Sequence, residues 1–450
     1  MPKAVVVGAG PAGIAAATVL AGAGAEVVMV DEGFRPGGQI FRAPAAGLRL
    51  DMRNLLGAGF SRYAAFHAAA DAVCEKIDYR PRTLVWSVHG GAVHTATEEP
   101  IEAVPYDGLV LATGATDRVM PLPGWTLPGV FTLGGAQALL KEQGCLIGRR
   151  TVFCGSSPLL YLAALQYLRM GGEVAAVIDT TPFAAKVRAM PDMLAAPRTL
   201  ADGLGQIAAL RRRKVPVIHG ATLERFDGED RVTAVLFRGH DGAERRIACD
   251  AVAYGHGIRP EAQLAELAGC SLRFDPVHRL YVPAADLDGR AGEKIYVAGD
   301  GAAIGGAEAA RLSGTLAGSA LARDLGLPAP AADIDAARRS LARLRRFQRG
   351  LATAFRWPRE QVATLADAVI LCRCESVTVG EVRAKLRQPI GASEPNRAKA
   401  ASRCGMGRCQ GRFCGPALAE LTAADGEPGR LRAQAPIKPL PIRLAESAPL

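Results

Sequence analysis

The first thirty residues contain two short apolar runs separated by a glycine-rich turn and an alanine-rich stretch. The run Ala4–Val7 predicts a buried strand, the stretch through Leu20 predicts a helix, and Val27–Val30 predicts a second strand that ends on Asp31. Residues 4–25 carry no charge over a length that could cross a bilayer, but five glycines and a proline within them argue against a membrane helix. The pattern is typical of a βαβ unit with parallel strands.

The turn after the first run has the spacing Gly8-x-Gly10-x-x-Gly13. Gly8 allows a tight turn, Gly10 lets the backbone approach a pyrophosphate, and Gly13 lets helix and strand pack closely. Amides at the start of the helix receive the phosphates, and an acid after the second strand accepts the ribose hydroxyls. This order of strand, glycine turn, helix, second strand and acid predicts a dinucleotide-binding domain. Its candidate residues are Gly8, Gly10, Ala12, Gly13, Asp31 and Glu32.

A second unit with the same pattern spans residues 149–179. It matches the first at three positions, with Gly155 for Gly8, Pro158 for Pro11 and Asp179 for Asp31. Ser157 and Leu160 replace the second and third glycines, so a side chain stands where a pyrophosphate would approach. Three interpretations stay open: a nicotinamide site, an altered adenine-nucleotide site and a structural relic. Asp179 would repel the 2′-phosphate of NADP.

The formal net charge of +10 comes from the carboxy-terminal part of the chain. Residues 331–450 hold 21 basic and 11 acidic residues, and the rest of the chain is balanced. Such an excess is typical of a solvated basic face, or of cations gathered around anionic metal thiolates and an acidic partner. Aromatic residues are only 5% of the chain and no nucleic-acid module is visible, so nucleic acid is not an expected partner.

Five of the ten cysteines lie in CRCESVT, residues 372–378, and RCGMGRCQGRFCG, residues 403–415. Cys372-x-Cys374 and Cys409-x4-Cys414 offer four thiolates to one centre. Structural zinc sites usually use Cys-x2-4-Cys pairs, so the single residue in the first pair favours an iron-sulfur cluster. Zinc stays an alternative, and Cys404 is an ambiguous fifth thiol.

Helical patterns surround these cysteines. A capping box at Thr378 and Glu381 predicts a helix just after the first pair, and PALAELTA predicts another after Cys414. Helix starts stabilise thiolates through free N–H groups. Upstream, a helix is predicted from the apolar spacing of Ile334, Ala337, Leu341 and Leu344.

The other five cysteines form no Cys-x-x-Cys in residues 1–330, which argues against disulfide reduction. They are expected to be buried free thiols. They are Cys74, Cys145, Cys154, Cys249 and Cys270.

Three further segments resemble those of FAD-dependent oxidoreductases with two dinucleotide-binding domains. YDGLVLATGATDRVMPLPGW, residues 106–125, resembles their ATG segment, and KIYVAGDGAAIGGAEAARLSGTLAG, residues 294–318, their GD segment. PGGQI, residues 36–40, resembles the segment beside the isoalloxazine in the thioredoxin-reductase-like branch. The resemblance implies that Asp300 binds the flavin ribityl chain; the alternative for Asp300 is a helix N-cap. It adds the candidates Gly38, Gln39, Ile40, Thr113, Gly114, Gly299 and Asp300.

The cysteine segments resemble the 2Fe-2S module of the bacterioferritin-associated ferredoxin type. With the flavoprotein-like half, the chain resembles the FAD-containing large subunit of opine oxidases, dye-linked proline or hydroxyproline dehydrogenases and hydrogen cyanide synthase, as far as the tail RAQAPIKPLPIRLA. Arg408 stands where relatives usually have proline, and this cation should raise the cluster's potential. The resemblance implies the cluster ligands Cys372, Cys374, Cys409 and Cys414.

The expected fold is α/β, with two Rossmann-like dinucleotide-binding domains of the glutathione- and thioredoxin-reductase type and a small, mostly helical, Cys-rich 2Fe-2S domain. The expected divisions are an FAD-binding domain at 1–120 and 285–330, a degraded second nucleotide-binding domain at 121–284, a linker helix at 331–366, the 2Fe-2S domain at 367–425 and a Pro-rich tail at 426–450.

The resemblance implies an electron-transfer subunit, with FAD and a 2Fe-2S cluster, of a heteromeric enzyme that oxidises an amino-acid-like secondary amine. A partner flavin subunit similar to D-amino-acid oxidase would oxidise the amine, a small ferredoxin-like subunit could join them, and a downstream acceptor would take the electrons. His256 is the only suggestive histidine, and no catalytic acid or base is assigned. A self-contained NADH-dependent reductase and an iron-sulfur sensor stay as alternatives. The expected location is the cytoplasm or the inner face of the membrane, without a transmembrane segment.

Overall fold

The fold is that of a computed structural model, which describes residues 1–97, 101–328, 333–388, 394–423 and 426–440. Within these ranges, no helix combines the length and the apolar character that crossing a bilayer requires.

The first sheet is built around the apolar strand Lys3–Val7, whose last four residues are buried. A strand buried on both faces needs other elements packed on both sides of its sheet, which here are helices on one side and an antiparallel sheet on the other. Neighbouring strands pair in parallel, except at one edge. From that edge, the strands are Arg290–Gly292, Ile295–Val297, Gly108–Leu111, Lys3–Val7, Glu26–Val30 and Asp78–Arg80.

Two helices cover one side of this first unit, and they come from distant parts of the chain. Pro11–Gly22 and Gly306–Asp324 pack so closely that a Cβ at Gly314 would lie 2.0 Å from the Ala12 carbonyl oxygen. The chain therefore returns to the first unit after building the second. The first unit also contains the helices Met52–Leu56 and Phe60–Cys74 and the 3-10 helices Gly57–Gly59 and Gly299–Gly301. Its antiparallel sheet consists of Leu84–His89, Ala92–Ala96 and Ile101–Pro105.

The second sheet repeats the plan around the strand Arg150–Gly155, which the helix Leu159–Arg169 follows. Its five strands are all parallel, in the order Val217–His219, Glu173–Asp179, Arg150–Gly155, Ala251–Gly255 and Val130–Thr132. The predicted internal repeat is thus confirmed as two similar units. The other elements here are the helices Leu133–Gln143, Phe183–Met193 and Pro197–Arg212 and an antiparallel sheet of Thr222–Asp227, Ala234–Arg238 and Glu244–Ala248.

Two antiparallel strands connect the units. Ala115–Asp117 leaves the first unit and pairs with Ile258–Pro260, which returns from the second. A short helix, Gln263–Leu267, and a hairpin of Leu272–Asp275 and Leu280–Pro283 follow before the chain re-enters the first sheet.

The carboxy-terminal part begins with the helix Ile334–Ala354, which confirms the helix predicted from the apolar spacing. The predicted capping box is also present: Thr378 Oγ1 accepts a hydrogen bond from the Glu381 N–H at 3.2 Å, and the Glu381 carboxylate accepts one from the Thr378 N–H at 2.7 Å. The remaining elements are the helices Arg359–Ala363, Val379–Leu386, Pro395–Ser402 and Gly415–Thr422 and a hairpin of Ile370–Cys372 and Val377–Thr378.

The cysteine module, residues 370–423, packs on the second unit. Buried side chains of both, such as Tyr254 and Leu418, belong to one hydrophobic core. The Trp125 indole N–H donates to the Ile370 carbonyl oxygen at 2.6 Å. The module is therefore held at a fixed place beside the two units.

Residues 426–440, the tail strap, return to the first unit. Ile437 is buried with Val85 and Val88, and its N–H donates to the Trp86 carbonyl oxygen at 3.1 Å. Residues 441–445 of the tail resemblance lie outside the described residues.

The predicted α/β fold with two dinucleotide-binding units is confirmed, whereas the domain divisions stay a prediction. All ten cysteines are free thiols. Three outside the module are buried as expected and Cys74 is half-buried, but the expectation is wrong for Cys145, which is exposed. Cys145 directly follows Gly144, the C-cap of a surface helix, and therefore lies in a loop.

Candidate functional site

The first turn, residues 8–13, needs two of its glycines for its own geometry. Gly8 has φ +105°, and a Cβ there would lie 2.3 Å from the Ala112 carbonyl oxygen. A Cβ at Gly13 would lie 1.7 Å from the Gly8 carbonyl oxygen. These glycines bring strand, turn and helix together.

Gly10 is different, because nothing in the protein excludes a side chain there. It is the N-cap of the helix Pro11–Gly22, and the nearest atom to a Cβ would be the Cα of Gly38, at 3.8 Å. The bare backbone at this helix start leaves room for a ligand that approaches closely. A pyrophosphate fits, because the first N–H groups of a helix have no partners within the helix.

Asp31 fixes the shape of the turn from the end of the second strand. Its carboxylate accepts hydrogen bonds from the Ala9 N–H at 2.5 Å and the Gly33 N–H at 2.6 Å. Burial raises the pKa of Asp31, and these two N–H groups oppose the rise. Each carboxylate oxygen accepts more than one hydrogen bond, so Asp31 can also take ribose hydroxyls. Glu32 is exposed and pairs with Lys438 of the tail strap.

The PGGQI segment lies against this turn and against the second unit. The Gly37 N–H donates to the Ala9 carbonyl oxygen at 3.0 Å, which places Gly38 beside Gly10. Lys141 of the second unit is buried, and its ammonium contacts the carbonyl oxygens of residues 39 and 40 at 3.4 and 3.2 Å. Burial lowers the pKa of Lys141 to about 8. The segment that carries Gln39 and Ile40 is therefore fixed on both sides.

Asp300 has both roles open to it. Its Oδ1 accepts hydrogen bonds from the N–H groups of Gly305 and Gly306, at 2.8 and 3.1 Å, so it binds the start of the helix Gly306–Asp324, although the N-cap residue is Gly305 and not Asp300. Burial raises its pKa, and these two N–H groups oppose the rise. Oδ2 remains available to another donor, such as a ribityl hydroxyl.

The ATG and GD segments also meet at the first turn. A Cβ at Gly299, where φ is +70°, would lie 2.9 Å from the Ala12 Cβ. Thr113 and Gly114 lie beside Gly301, whose Cβ would be 2.7 Å from the Thr113 Oγ1. These contacts thus bring the glycine turn and the PGGQI, ATG and GD segments to the N-terminus of the helix Pro11–Gly22.

The second turn, residues 155–158, has the same backbone but a closed surface. Gly155 has φ +127°, and a Cβ there would lie 2.0 Å from the Gly255 carbonyl oxygen. In the first turn, a Cβ at Gly8 would come similarly close to the Ala112 carbonyl oxygen. Ser157 and Leu160 are both buried.

Asp179 of the second unit already has its full set of partners. Its carboxylate accepts hydrogen bonds from the Tyr161 hydroxyl at 2.5 Å and the Thr181 N–H at 2.8 Å, and it pairs with Lys186. His219 also contacts it, at 3.3 Å. Burial acts to raise the pKa of Asp179, but the hydrogen bonds and the Lys186 charge hold that pKa below its ordinary value. A ribose would have to displace these groups.

The chain itself also covers the second turn. The Ser156 hydroxyl donates to the Arg356 carbonyl oxygen at 2.9 Å, and it contacts His256 Nδ1 at 3.0 Å. The Trp357 ring stands edge-on to His256, with centroids 6.1 Å apart. His256 lies in the short loop between the strands Ala251–Gly255 and Ile258–Pro260, where it is buried, and burial lowers its pKa to about 3.

The cysteine module brings all five of its thiols together in two groups. The sulfur atoms of Cys372, Cys404 and Cys414 lie within 4.8 Å of one another, and all three residues are buried. Cys374 and Cys409 form the second group, in which the Cys409 backbone N–H donates to the Cys374 sulfur and the Cys374 thiol donates to the Cys409 sulfur. Cys404, left ambiguous by the sequence, therefore belongs to the cluster of thiols.

The local backbone is shaped for thiolates. The thiols of Cys404 and Cys414, together with the N–H groups of Gly405 and Glu375, lower the pKa of Cys372. A Cβ at Gly407 would lie 2.3 Å from the Cys374 Cβ, so glycine lets the two cysteine segments approach. The donor set, sulfur throughout, fits an iron-sulfur cluster or a zinc ion.

A family match decides the class of protein. Residues 2–316 match the family described as pyridine nucleotide-disulphide oxidoreductase. The chain belongs to the pyridine nucleotide-disulphide oxidoreductase family. Membership implies a flavin, which agrees with the contacts around the first turn.

Relatives within this family match nearly the whole chain. An opine oxidase subunit from Agrobacterium tumefaciens is 38% identical, over 99% of this chain and 91% of the relative. Hydrogen cyanide synthase subunit HcnB of Pseudomonas aeruginosa is 33% identical, over 98% of this chain and 97% of the relative. Both names describe subunits of larger enzymes.

Solved structures agree on the fold. L-proline dehydrogenase from P. horikoshii has a TM-score of 0.66 and 21% identity, covering 98% of this chain and 79% of that chain. Thioredoxin reductase from T. acidophilum has a TM-score of 0.50 and 21% identity, covering 72% of this chain and 99% of that chain.

In this oxidoreductase, one ion pair connects the ATG segment to the cysteine module. Thr113 Oγ1 donates to the Glu261 carbonyl oxygen at 2.6 Å, and the Glu261 N–H donates to the Gly114 carbonyl oxygen at 2.9 Å. The Glu261 carboxylate accepts two hydrogen bonds from Arg412, at 2.7 and 3.0 Å. Arg412 in turn donates to the Cys409 carbonyl oxygen at 3.2 Å. Glu261 and Arg412, the buried bridge, were not anticipated from the sequence.

We expect Arg412→Met to lower the free energy of unfolding by about 1–3 kcal/mol, because the buried Glu261 carboxylate loses both of its hydrogen bonds and keeps only the Arg259 cation, at 3.7 Å. Denaturant unfolding followed by tryptophan fluorescence measures the change. The control is Arg311→Met, which removes an exposed pair with Glu308 and should cost less than about 1 kcal/mol. Equal losses in the two variants would contradict the assigned role of the bridge.

Proposed function

We propose that this chain is the FAD- and 2Fe-2S-containing electron-transfer subunit of a heteromeric dehydrogenase or oxidase. Its substrate class is an amino-acid-like secondary amine, of the opine, proline, hydroxyproline or glycine type. The observation that carries the proposal is the buried bridge, which connects the ATG segment beside the first turn to the module that holds the two groups of thiols. Relatives named as subunits of opine oxidase and hydrogen cyanide synthase support it.

For FAD, the proposed roles follow from the contacts. The first turn and Gly10 would receive the pyrophosphate, and Asp31 would accept the ribose hydroxyls. Asp300 Oδ2 would accept a ribityl hydroxyl, and the PGGQI segment would lie beside the isoalloxazine. The other candidates, Ala12, Thr113, Gly114 and Gly299, support this backbone geometry.

For the cluster, two thiolates would come from each group. Cys374 and Cys409 form one pair, and Cys372 and Cys414 supply the other. Zinc remains the second candidate for the same sulfur set. Arg408 and the other cations around the module would balance the negative charge of the thiolates.

A bound flavin takes up two electrons together and a 2Fe-2S cluster passes them on singly, so the pair converts a two-electron oxidation into one-electron steps. The chain's own residues would bind these groups, the flavin at the first turn and the cluster in the cysteine module. Oxidation of the amine belongs to a partner flavin subunit similar to D-amino-acid oxidase. A small ferredoxin-like subunit and a downstream acceptor complete the proposed complex, in the cytoplasm or at the inner face of the membrane.

A self-contained NADH-dependent reductase is the second candidate, because the chain has a second dinucleotide-binding unit. The covered turn and the fully paired Asp179 argue against it. The same features argue against an adenine nucleotide at the second turn in the present conformation of the chain, since Arg356 and Trp357 would have to move.

Anaerobic titration of the FAD-loaded chain, first with NADH and then with dithionite, tests this division of labour. We expect the flavin and cluster absorbance bands to persist in NADH and to bleach in dithionite, which serves as the control that both groups can be reduced. Candidate amines added without a partner subunit should also leave the bands unchanged. Rapid bleaching by NADH would establish the reductase instead.

A further inference from the structure

Arg259 is a mostly buried cation that has no hydrogen-bonded carboxylate of its own. It lies in the strand Ile258–Pro260, where it pairs with Thr116 of the strand that leaves the ATG segment. Its Nε and Nη2 atoms are buried and have no hydrogen-bond partner within the described residues. Two unused donors on a buried guanidinium are uncommon, since an unpaired polar group in the interior costs about 1–3 kcal/mol.

The nearby carboxylate does not satisfy Arg259. Its Nη2 is 3.7 Å from Glu261 Oε2, too far for a hydrogen bond. Both Glu261 oxygens already accept hydrogen bonds from Arg412. Two guanidinium groups thus share one carboxylate, and one positive charge remains uncompensated beside the buried bridge. An uncompensated positive charge in the interior is costly unless a further anion lies nearby to stabilise it.

Contacts lead from Arg259 to the cysteine module, because its neighbour Glu261 is hydrogen-bonded to Arg412, which donates to the Cys409 carbonyl oxygen at 3.2 Å. The thiols of this module would become anionic thiolates on binding a metal. Burial and Arg412 lower the pKa of Arg259, whereas Glu261, Cys409 and Cys414 raise it. A 2Fe-2S cluster held by four thiolates carries more negative charge than a single thiolate, and reduction adds one more negative charge.

We propose that Arg259 is the cationic donor to the metal-thiolate centre, with its free Nε–H and Nη2–H groups directed to sulfur on the side of Cys409 and Cys414. The inference rests on the proposed 2Fe-2S function. Hydrogen bonds and positive charge at cluster sulfur stabilise the reduced state, so Arg259 raises the potential of the cluster. A higher cluster potential favours electron transfer from the flavin to the cluster.

The test is a potentiometric titration of the full chain, loaded with FAD and iron-sulfur and followed by electron paramagnetic resonance. At the midpoint potential of the unaltered protein, Arg259→Gln should lower the ratio of reduced to oxidised cluster about tenfold, which equals about 59 mV for one electron. Arg259→Lys should shift the potential less, in the same direction, and should alter the g-values, because lysine keeps the charge but loses the planar pair of donors.

The matched control is Arg279→Gln. Arg279 forms a bidentate pair with Glu420, at 2.9 and 2.7 Å, so it also connects the cysteine module to the rest of the chain. Removing this paired arginine should leave the potential of the cluster unchanged. An equal shift in Arg279→Gln would overturn the inference, because any lost positive charge would then have the same effect.

The remaining outcomes separate the inference from the proposed function. A normal cluster signal with an unchanged potential in Arg259→Gln overturns the inference alone. If that variant fails to hold iron, Arg259→Lys decides, and an unchanged potential and spectrum there overturn it. Absence of iron and of any 2Fe-2S signal in the unaltered chain would instead overturn the proposed function.

Discussion

Cys409→Ser should abolish the electron paramagnetic resonance signal of the reduced cluster, whereas Cys404→Ser should leave it. The thiols lie in a pair, Cys374 with Cys409, and a group of three, Cys372 with Cys404 and Cys414. Four thiolates suffice for a 2Fe-2S cluster, two on each iron. The pair has no spare thiol, but the group of three does, so the loss of Cys409 cannot be replaced as easily as the loss of Cys404.

Cys404→Ser is the matched control, because it makes the same substitution a few residues away in the same buried loop. Iron and sulfide analysis should accompany the spectra, so that lost cluster is distinguished from a changed signal. If Cys404→Ser abolishes the signal and Cys414→Ser retains it, the ligand set is wrong by one position. Zinc in place of iron in the unaltered protein would contradict the cluster itself.

Gly10→Val should weaken FAD binding while the protein still folds. A Cβ at Gly10 would meet only the Cα of Gly38, at 3.8 Å, so the first turn has room for the start of a side chain. The same side chain would occupy the space next to a bound pyrophosphate. Overpacking of this kind costs about 1–3 kcal/mol, which is about a tenfold to hundredfold loss of affinity.

The flavin absorbance of the purified protein, before and after adding excess FAD, measures this loss. Gly22→Val is the control, because Gly22 lies in the same helix and has no atom within 4 Å of its would-be Cβ. Its flavin content should match the unaltered protein, and the thermal midpoints of the two flavin-free variants should agree. Full flavin content in Gly10→Val would mean that the pyrophosphate binds elsewhere.

Local patterns explain why the main elements could be predicted. The strand, turn and helix around Gly8 follow from apolar runs and glycine spacing, and the structure extends them by only one or two residues, to Lys3–Val7 and Pro11–Gly22. The capping box at Thr378 depends on residues three positions apart. Each of these signals lies within a few residues of the feature that it specifies.

The buried bridge has no such local signal. Glu261 and Arg412 are 151 positions apart, and an acid or a base in a loop usually indicates a solvated surface. The cover over the second turn also lacks a local signal, because Trp357 follows the helix Ile334–Ala354, which is distant in sequence from that turn. Cys404 also joins its group only through folding. These contacts depend on how complete units pack, which single-sequence patterns do not determine.

The tail strap has a consequence for the order in which the protein matures. Asp300 and the helix after it belong to the same cradle as the first turn, and the tail strap adds Lys438 to Glu32 and Ile437 to the core of the first unit. The Ile437 carbonyl oxygen also accepts a hydrogen bond from Arg412, at 2.7 Å. During synthesis, the tail strap can therefore reach the first unit only after the cysteine module has emerged from the ribosome, so the first unit acquires its final packing late.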